Sequence, residues 1–288
     1  DALWRLLPTA GVRLHCPARI EALEQHDLGV RVQLDDGLQL DAKLAIAADG
    51  ANSALREMAG IGTRAHDYRQ KGLVAFIESG LPHRDTCFQR FLPTGPVAFL
   101  PFAADADADA SLQGRLGSIV WTLPTGEAER LRTNDEDAFA RELGNAFGGE
   151  LGAMRLLSPR AAFPLRRQLA DTHVQGRVLL LGDAAHAVHP LAGQGVNLGL
   201  RDVTALRDHV RDANRRGAGI DSPQRLARWA RARKSENAVN AHAFSAINRI
   251  YSNDALWPTL LRGHALGIAG KLPPLARALW RHAAGVSG

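Results

Sequence analysis

Cysteine is almost missing: Cys16 and Cys87 stand alone in 288 residues, and neither belongs to a CxxC pair. That excludes a disulfide framework and a cysteine zinc site, and it suits a reducing compartment, read here as the cytoplasm. Lysine is scarce as well, occurring only at 43, 71, 234 and 271, so the basic balance is nearly all arginine. Hydrophobic runs are short and broken by Arg, Asp or Pro, which leaves no membrane-spanning stretch. There is no repeat at a solenoid period, no RNA-binding aromatic signature and no zinc-finger spacing. The net charge of +5 therefore reads toward an anionic lipid or an anionic cofactor, and against nucleic acid. The chain opens Asp1-Ala2-Leu3 without an initiator Met, and so reads as a piece of something longer.

What is present is ordinary for a globular protein: 45% apolar and 23% charged residues, in a chain long enough for one large domain or two smaller ones. Residues 1–10 read as the tail of a helix and "VRLHC" (12–16) as a short strand. "RIEALEQH", "GVRVQL" and "LQLDAKLAIAAD" read as strands, with Asp36-Gly37 as a tight hairpin turn. Ser53 to Ala59 reads as a short helix stopped by Gly60. Between 67 and 123 the texture changes to β-rich segments joined by Pro and Gly, as in an antiparallel sheet. Asp105, Asp107 and Asp109 imitate the start of a calcium loop, but the glycine and closing glutamate are missing, so a solvated hairpin loop is expected. "NDEDAFARELGNAF" is an amphipathic helix capped by Asn134 or Asp135, and helices are expected over 195–213 and from Pro223 onward.

Two acids follow apolar strands. In "AIAADGANSALR" (45–56) the strand delivers Asp49 to its carboxyl end, where α/β sheets place ligands. Gly50 permits a tight turn, Ser53 can cap the helix, and Arg56 offers a fixed charge to phosphate. A structural turn acid accounts for Asp49 equally well. In "RVLLLGD" (177–183), Gly182 and Asp183 end a second buried strand; a lone carboxylate only accepts hydrogen bonds, which suits a ribose or ribityl hydroxyl.

Gly193-Gln194-Gly195 then opens a helix whose free N–H groups favour an anion. A phosphate loop would want Lys or Ser/Thr next, whereas Val196 and Asn197 follow, so the negative edge of a reduced aromatic cofactor fits better. His186 and His189 are three apart, but no nearby pattern supplies further metal ligands. No metal is expected, and His186 reads as a helix-start or hydrogen-bonding residue.

These residues carry a resemblance. "LLLGDAAHAVHPLAGQGVNLGLRDV" is similar to the GD signature of flavin-dependent aromatic-ring hydroxylases, and "AADGANSALR" to their DG motif. With "FLPTGPVAFLPF", "SIVWTLP" and "YSND", the chain resembles the ubiquinone-biosynthesis FAD-dependent hydroxylases, the 2-polyprenyl-6-methoxyphenol hydroxylase branch most. The resemblance implies a mixed α/β fold: a partial Rossmann-like FAD domain of the para-hydroxybenzoate hydroxylase type (1–66 and 173–213), an inserted antiparallel substrate domain (67–172) and a C-terminal helical region (222–288). It implies FAD, NAD(P)H as reductant, O2, and a flavin C4a-hydroperoxide that passes OH to a polyprenyl phenol ring. Asp183, with Gly182, would bind the ribityl hydroxyls. Gly193, Gln194 and Gly195 would lie by the flavin pyrimidine edge with Val196 and Asn197 beside them, and Pro190 would border the reactive face. Asp49, Gly50 and Arg56 would approach the pyrophosphate. No acid–base residue is assigned.

The family opens with a strand, GxGxxG and a helix, and none of these occurs here. The resemblance thus implies a start roughly a hundred residues late, with weak FAD retention by this chain alone. Two other readings stand beside the hydroxylase: a sibling enzyme for another aromatic substrate, and a non-catalytic partner subunit that keeps the fold. Val97, Phe99, Leu100, Phe102 and Ile119 could line an apolar tunnel or simply pack a core. "LLRGHALGIAGKLPPLARALWRHAAG" interleaves Leu and Trp with Arg and Lys, and could rest on the inner membrane or dock a partner of ubiquinone biosynthesis.

Overall fold

The computed structural model describes residues 2–103, 114–188 and 194–234. It divides into two compact units. The first takes the chain up to Arg64, Gln168–Ala187 and the residues from Leu198; the second is built on Ala65–Arg167 and includes the first residues of a helix that starts at Gln194. The acidic run Asp105–Asp109 and the C-terminal Leu/Arg segment lie outside the described residues.

In the first unit, helix α1 (Ala2–Leu6) and a 3-10 turn precede three antiparallel strands, β1 (Ile20–His26), β2 (Gly29–Leu34) and β3 (Gln39–Ala42). Gly37 closes the β2–β3 hairpin at φ +83°, a conformation that favours glycine. The expected strand at 12–16 has no ladder, and its apolar residues Val12 and Leu14 are exposed, so no buried face selects it. The run "LQLDAKLAIAAD" is also not one strand. It bends at Lys43 and splits into β3, which pairs with β2, and β4 (Ala45–Ala47), which joins another sheet. Helix α2 (Ala54–Met58) follows, capped by the Ser53 hydroxyl accepting from Arg56 N–H at 3.0 Å.

The second unit begins in β5 (Thr63–Ser79) and continues through β6 (Phe88–Leu92), β7 (Gly95–Pro101), β8 (Leu116–Pro124), helices α3 (Thr125–Thr133) and α4 (Glu136–Ala146), β9 (Met154–Leu156) and β10 (Ala161–Ala170). The strands run β10-β5-β8-β7-β6, with β9 also on β5. Alternation sends Leu73, Ala75, Ile77, Val97, Phe99 and Ile119 to one face, against Leu131, Phe139 and Leu143 of the helices. Asp135 caps α4, accepting from the N–H groups of Asp137 and Ala138. Helix α3 escapes a sequence reading because only Ala128 and Leu131 on it are buried apolar positions.

The other face of this sheet is also apolar. Phe76 and Phe102 meet edge to face at 5.4 Å beside exposed Leu100. The five tunnel candidates therefore divide: Val97, Phe99 and Ile119 are core, while Leu100 and Phe102 lie on the opposite side.

The chain returns to the first unit at the end of β10 and enters β11 (Val174–Gln175), β12 (Val178–Leu180) and β13 (His186–Ala187); helix α5 (Gln194–Arg215) and a helical segment over 223–234 follow. Strand β12 pairs antiparallel with β11 and parallel with β4, in register Val178↔Ala45 to Leu180↔Ala47. It is buried on both faces: Val178 and Leu180 pack with Ala45, Ala47 and Leu55, and Leu179 packs with Leu226 and Trp229. A strand covered on both sides must read as a continuous apolar run, as "VLLL" does. Arg177 pins its start, binding Asp221 and the carbonyls of His26 and Asp27.

Adjacent residues of β7 should behave oppositely. Phe99 is 0% exposed and Leu100 41% exposed. Phe99→Ala is expected to cost about 3–5 kcal/mol of unfolding free energy and Leu100→Ala under about 1 kcal/mol, measured by urea unfolding.

Candidate functional site

The site grows from the β4–β12 pairing. Because the two strands are parallel, their carboxyl ends fall on one edge, and both chains turn there: Asp49-Gly50 after β4, and Gly182-Asp183 in a 3-10 turn after β12. Both glycines take positive φ, +84° at Gly50 and +56° at Gly182. Side chains rarely adopt this geometry, so the turns select glycine. A Cβ at Gly50 would meet nothing within 4 Å, so open space lies against that backbone.

The two acids differ in their engagements. Asp49 Oδ2 accepts from Leu55 N–H at 3.3 Å, so this exposed carboxylate helps to start α2. Gln168 Nε2 holds the same turn through the Ala51 carbonyl at 2.8 Å. Asp183 is exposed, and none of the hydrogen bonds seen among the described residues reaches its carboxylate. Arg56 is buried at 4% exposure, and its guanidinium donates to the Ala184 carbonyl at 3.1 Å. It thereby ties the Asp49 segment to the Asp183 segment through a buried cation.

Helix α5 closes on the same turn. Gly199 lies so near it that a Cβ there would come within 3.4 Å of the Gly182 Cα. One helical turn on, Asp202 is fully buried. Its Oδ2 accepts from Gly182 N–H at 3.0 Å and from His186 Nε2 at 2.5 Å, and Arg233 lies 3.6 Å from its Oδ1. An ionised carboxylate only accepts, which puts the proton of His186 on Nε2. His186 is thus a hydrogen-bonding residue, while His189 lies outside the described residues. No group of three potential metal ligands is found among the described residues. Asp202 escaped the sequence reading. The available signal was an acid on the apolar stripe Leu198, Ala205, Leu206, where 3.6-residue spacing calls for a hydrophobe.

At the start of α5, Gly195 has nothing among the described residues within 4 Å of a Cβ position, and Val196 and Asn197 are exposed. Pro190 and Gly193 lie outside the described residues, as does the side chain of Gln194. No described helix is long and apolar enough to cross a membrane.

Beside His186, with ring centroids 6.0 Å apart, sits His173, which Trp229 meets edge-on. Burial, then the neighbouring His186, pushes its pKa from 6.5 down to about 4. The unfolded chain thus takes up a proton that the folded one refuses. Stability is held above pH 6.5 and is lost as pH falls toward about 4. In urea unfolding from pH 7 to 4, His173→Asn should show a smaller fall in stability than the wild type.

Residues 3–222 match the family model described as an FAD binding domain. The chain is 37% identical over 283 residues to the ubiquinone hydroxylase UbiL of Rhodospirillum rubrum, covering 98% of this chain and 64% of that protein. It is 35% identical to the 3-demethoxyubiquinol 3-hydroxylase of Escherichia coli, covering 99% and 71%. Among solved structures, the Diels-Alderase PyrE3 of pyrroindomycin biosynthesis superposes with a TM-score of 0.74 at 22% identity, covering 98% of this chain and 58% of that one. That likeness speaks to the fold alone. The chain thus spans between 58% and 71% of the length of these three proteins. It belongs to the FAD-binding family, in its group of ubiquinone-biosynthesis hydroxylases.

Proposed function

We propose that this chain carries one part of the FAD site of a monooxygenase that hydroxylates a polyprenyl phenol ring in ubiquinone biosynthesis, using NAD(P)H and O2. The observation that carries the reading is the exposed Asp183 carboxylate, unengaged among the described residues and held at the carboxyl edge of two parallel strands beside open glycine backbone. The donor set fits FAD. An acceptor-only carboxylate suits the ribityl hydroxyls, and the Gly50 backbone leaves room for a pyrophosphate to approach. When bound, FAD supplies hydride acceptance from NAD(P)H and activation of O2 for transfer of one oxygen atom to the ring.

The residues would have separate tasks. Asp183, with Gly182, would orient the sugar-like chain, Asp49 and Gly50 would shape the turn toward the pyrophosphate, and buried Arg56 would act through its tie to the Ala184 carbonyl. By resemblance, Gly193, Gln194 and Gly195, with Val196 and Asn197, would serve the flavin ring edge, where a helix start favours developing negative charge, and Pro190 would serve its reactive face. The apolar outer face of the second unit's sheet, with Phe76, Leu100 and Phe102, supports a lipid-like phenol over a small aromatic acid. The basic C-terminal residues would bring the enzyme to a cytoplasmic membrane surface or to a partner in the same biosynthesis.

With the chain extended to the length of its relatives, purification should yield a yellow protein whose NAD(P)H oxidation is stimulated by prenylphenols, with product mass raised by one oxygen. A product that never shows flavin absorbance overturns the reading. Asp183→Ala removes a charge-assisted hydrogen bond worth about 1.5–3 kcal/mol, so FAD should bind roughly 10- to 100-fold more weakly in fluorescence titration.

A further inference from the structure

The residues on either side of Asp183 are each held through their backbone by a buried side chain, the two of opposite charge. Asp202 accepts from Gly182 N–H, and Arg56 donates to the Ala184 carbonyl. We infer that Asp202, with His186, is a positioning pair: it locks the Gly182–Asp183 turn onto helix α5 and so aims the exposed Asp183 carboxylate at its ligand. This inference rests on the FAD reading above.

The geometry argues for positioning over plain packing. Asp202 and His186 are both 0% exposed, and a buried carboxylate is costly unless fully partnered. Apolar side chains of similar volume would hold a core at this place as well or better. Instead, one carboxylate gathers three elements. It takes the turn N–H, the His186 ring from β13, and Arg233 from the helical segment 223–234. Strand β13 is itself fixed to β10 through Leu169↔His186. What the pair fixes is the direction of a polar group in a turn whose exposed side chain accepts no hydrogen bond among the described residues. Gly199 lets helix α5 approach the Gly182 backbone closely, one turn before Asp202 makes the bond.

Asp202→Asn keeps the shape, weakens the bond to Gly182 and turns an amide donor toward Arg233. If Asp202 acts through Asp183, its effect depends on Asp183, which a double-mutant cycle reads. Asp202→Asn should weaken FAD binding about tenfold with Asp183 present, but less than about twofold in the Asp183→Asn background. Equal losses in both backgrounds would reduce Asp202 to general scaffolding and overturn the inference. His186→Gln, which retains an N–H donor, should keep most of the affinity, whereas His186→Leu should lose it as Asp202→Asn does. Hydrogen exchange in the flavin-free protein gives an independent readout. Asp202→Asn should speed exchange over 180–186 at least about tenfold while leaving β1–β3 unchanged. Unchanged exchange there sinks the inference whether or not FAD binds. A wild type that binds no FAD, yet shows the exchange effect, defeats the FAD reading and leaves the clamp standing.

Discussion

Parallel pairing of Ala45–Ala47 with Val178–Leu180 is the constraint on which the rest depends. Two segments far apart in the chain run in the same direction, so both leave the sheet at the same edge. Had they paired antiparallel, Asp49 and Asp183 would sit at opposite ends. Three-residue strands offer few ladder bonds, and burial on both faces supplies what the ladder lacks. Val178, Leu179 and Leu180 are each fully buried, between α2 and the β1–β2 layer on one side and the helical segment 223–234 on the other. The edge is therefore fixed by hydrophobic packing before any polar group is considered.

Polar groups then refine it. The turn after β12 could adopt several conformations, since Gly182 is permissive and Asp183 is exposed. Buried charges of both signs remove that freedom, one through an N–H and the other through a carbonyl. Buried charge is tolerated because each is met: Asp202 by a backbone donor, a histidine and a guanidinium, and Arg56 by a carbonyl. The same enclosure keeps His173 neutral near physiological pH.

Much of this was legible in the sequence, wherever the signal is local. The apolar run before Asp183, the Ser53 cap, the Asp36-Gly37 turn and the β-rich segments that follow residue 67 all name their elements directly. Non-local facts were not legible. Nothing in "LQLDAKLAIAAD" says that its halves belong to different sheets, because the bend at Lys43 has no glycine or proline to announce it. "VRLHC" looks like a strand by composition, yet no partner buries either face. Phe99 and Leu100 are equally apolar in sequence, and only the direction of their side chains separates core from surface. Asp202 was hidden for the opposite reason: among the polar residues of α5 an acid looks like ordinary solvent-facing charge, until Leu198, Ala205 and Leu206 place it on the inner stripe.

The sheet of the second unit has a consequence for how such a protein can change over generations. Its inner face, with Phe99, Ile119 and Leu73 pressed on Phe139 and Leu143, carries the folding free energy. Its outer face, with Phe76, Leu100 and Phe102, carries little of it. Strand alternation thus separates two kinds of mutation along the same strand: those purged because the protein fails to fold, and those judged only by what the outer face does. A lineage can try new outer-face chemistry one residue at a time, from a scaffold that stays folded throughout.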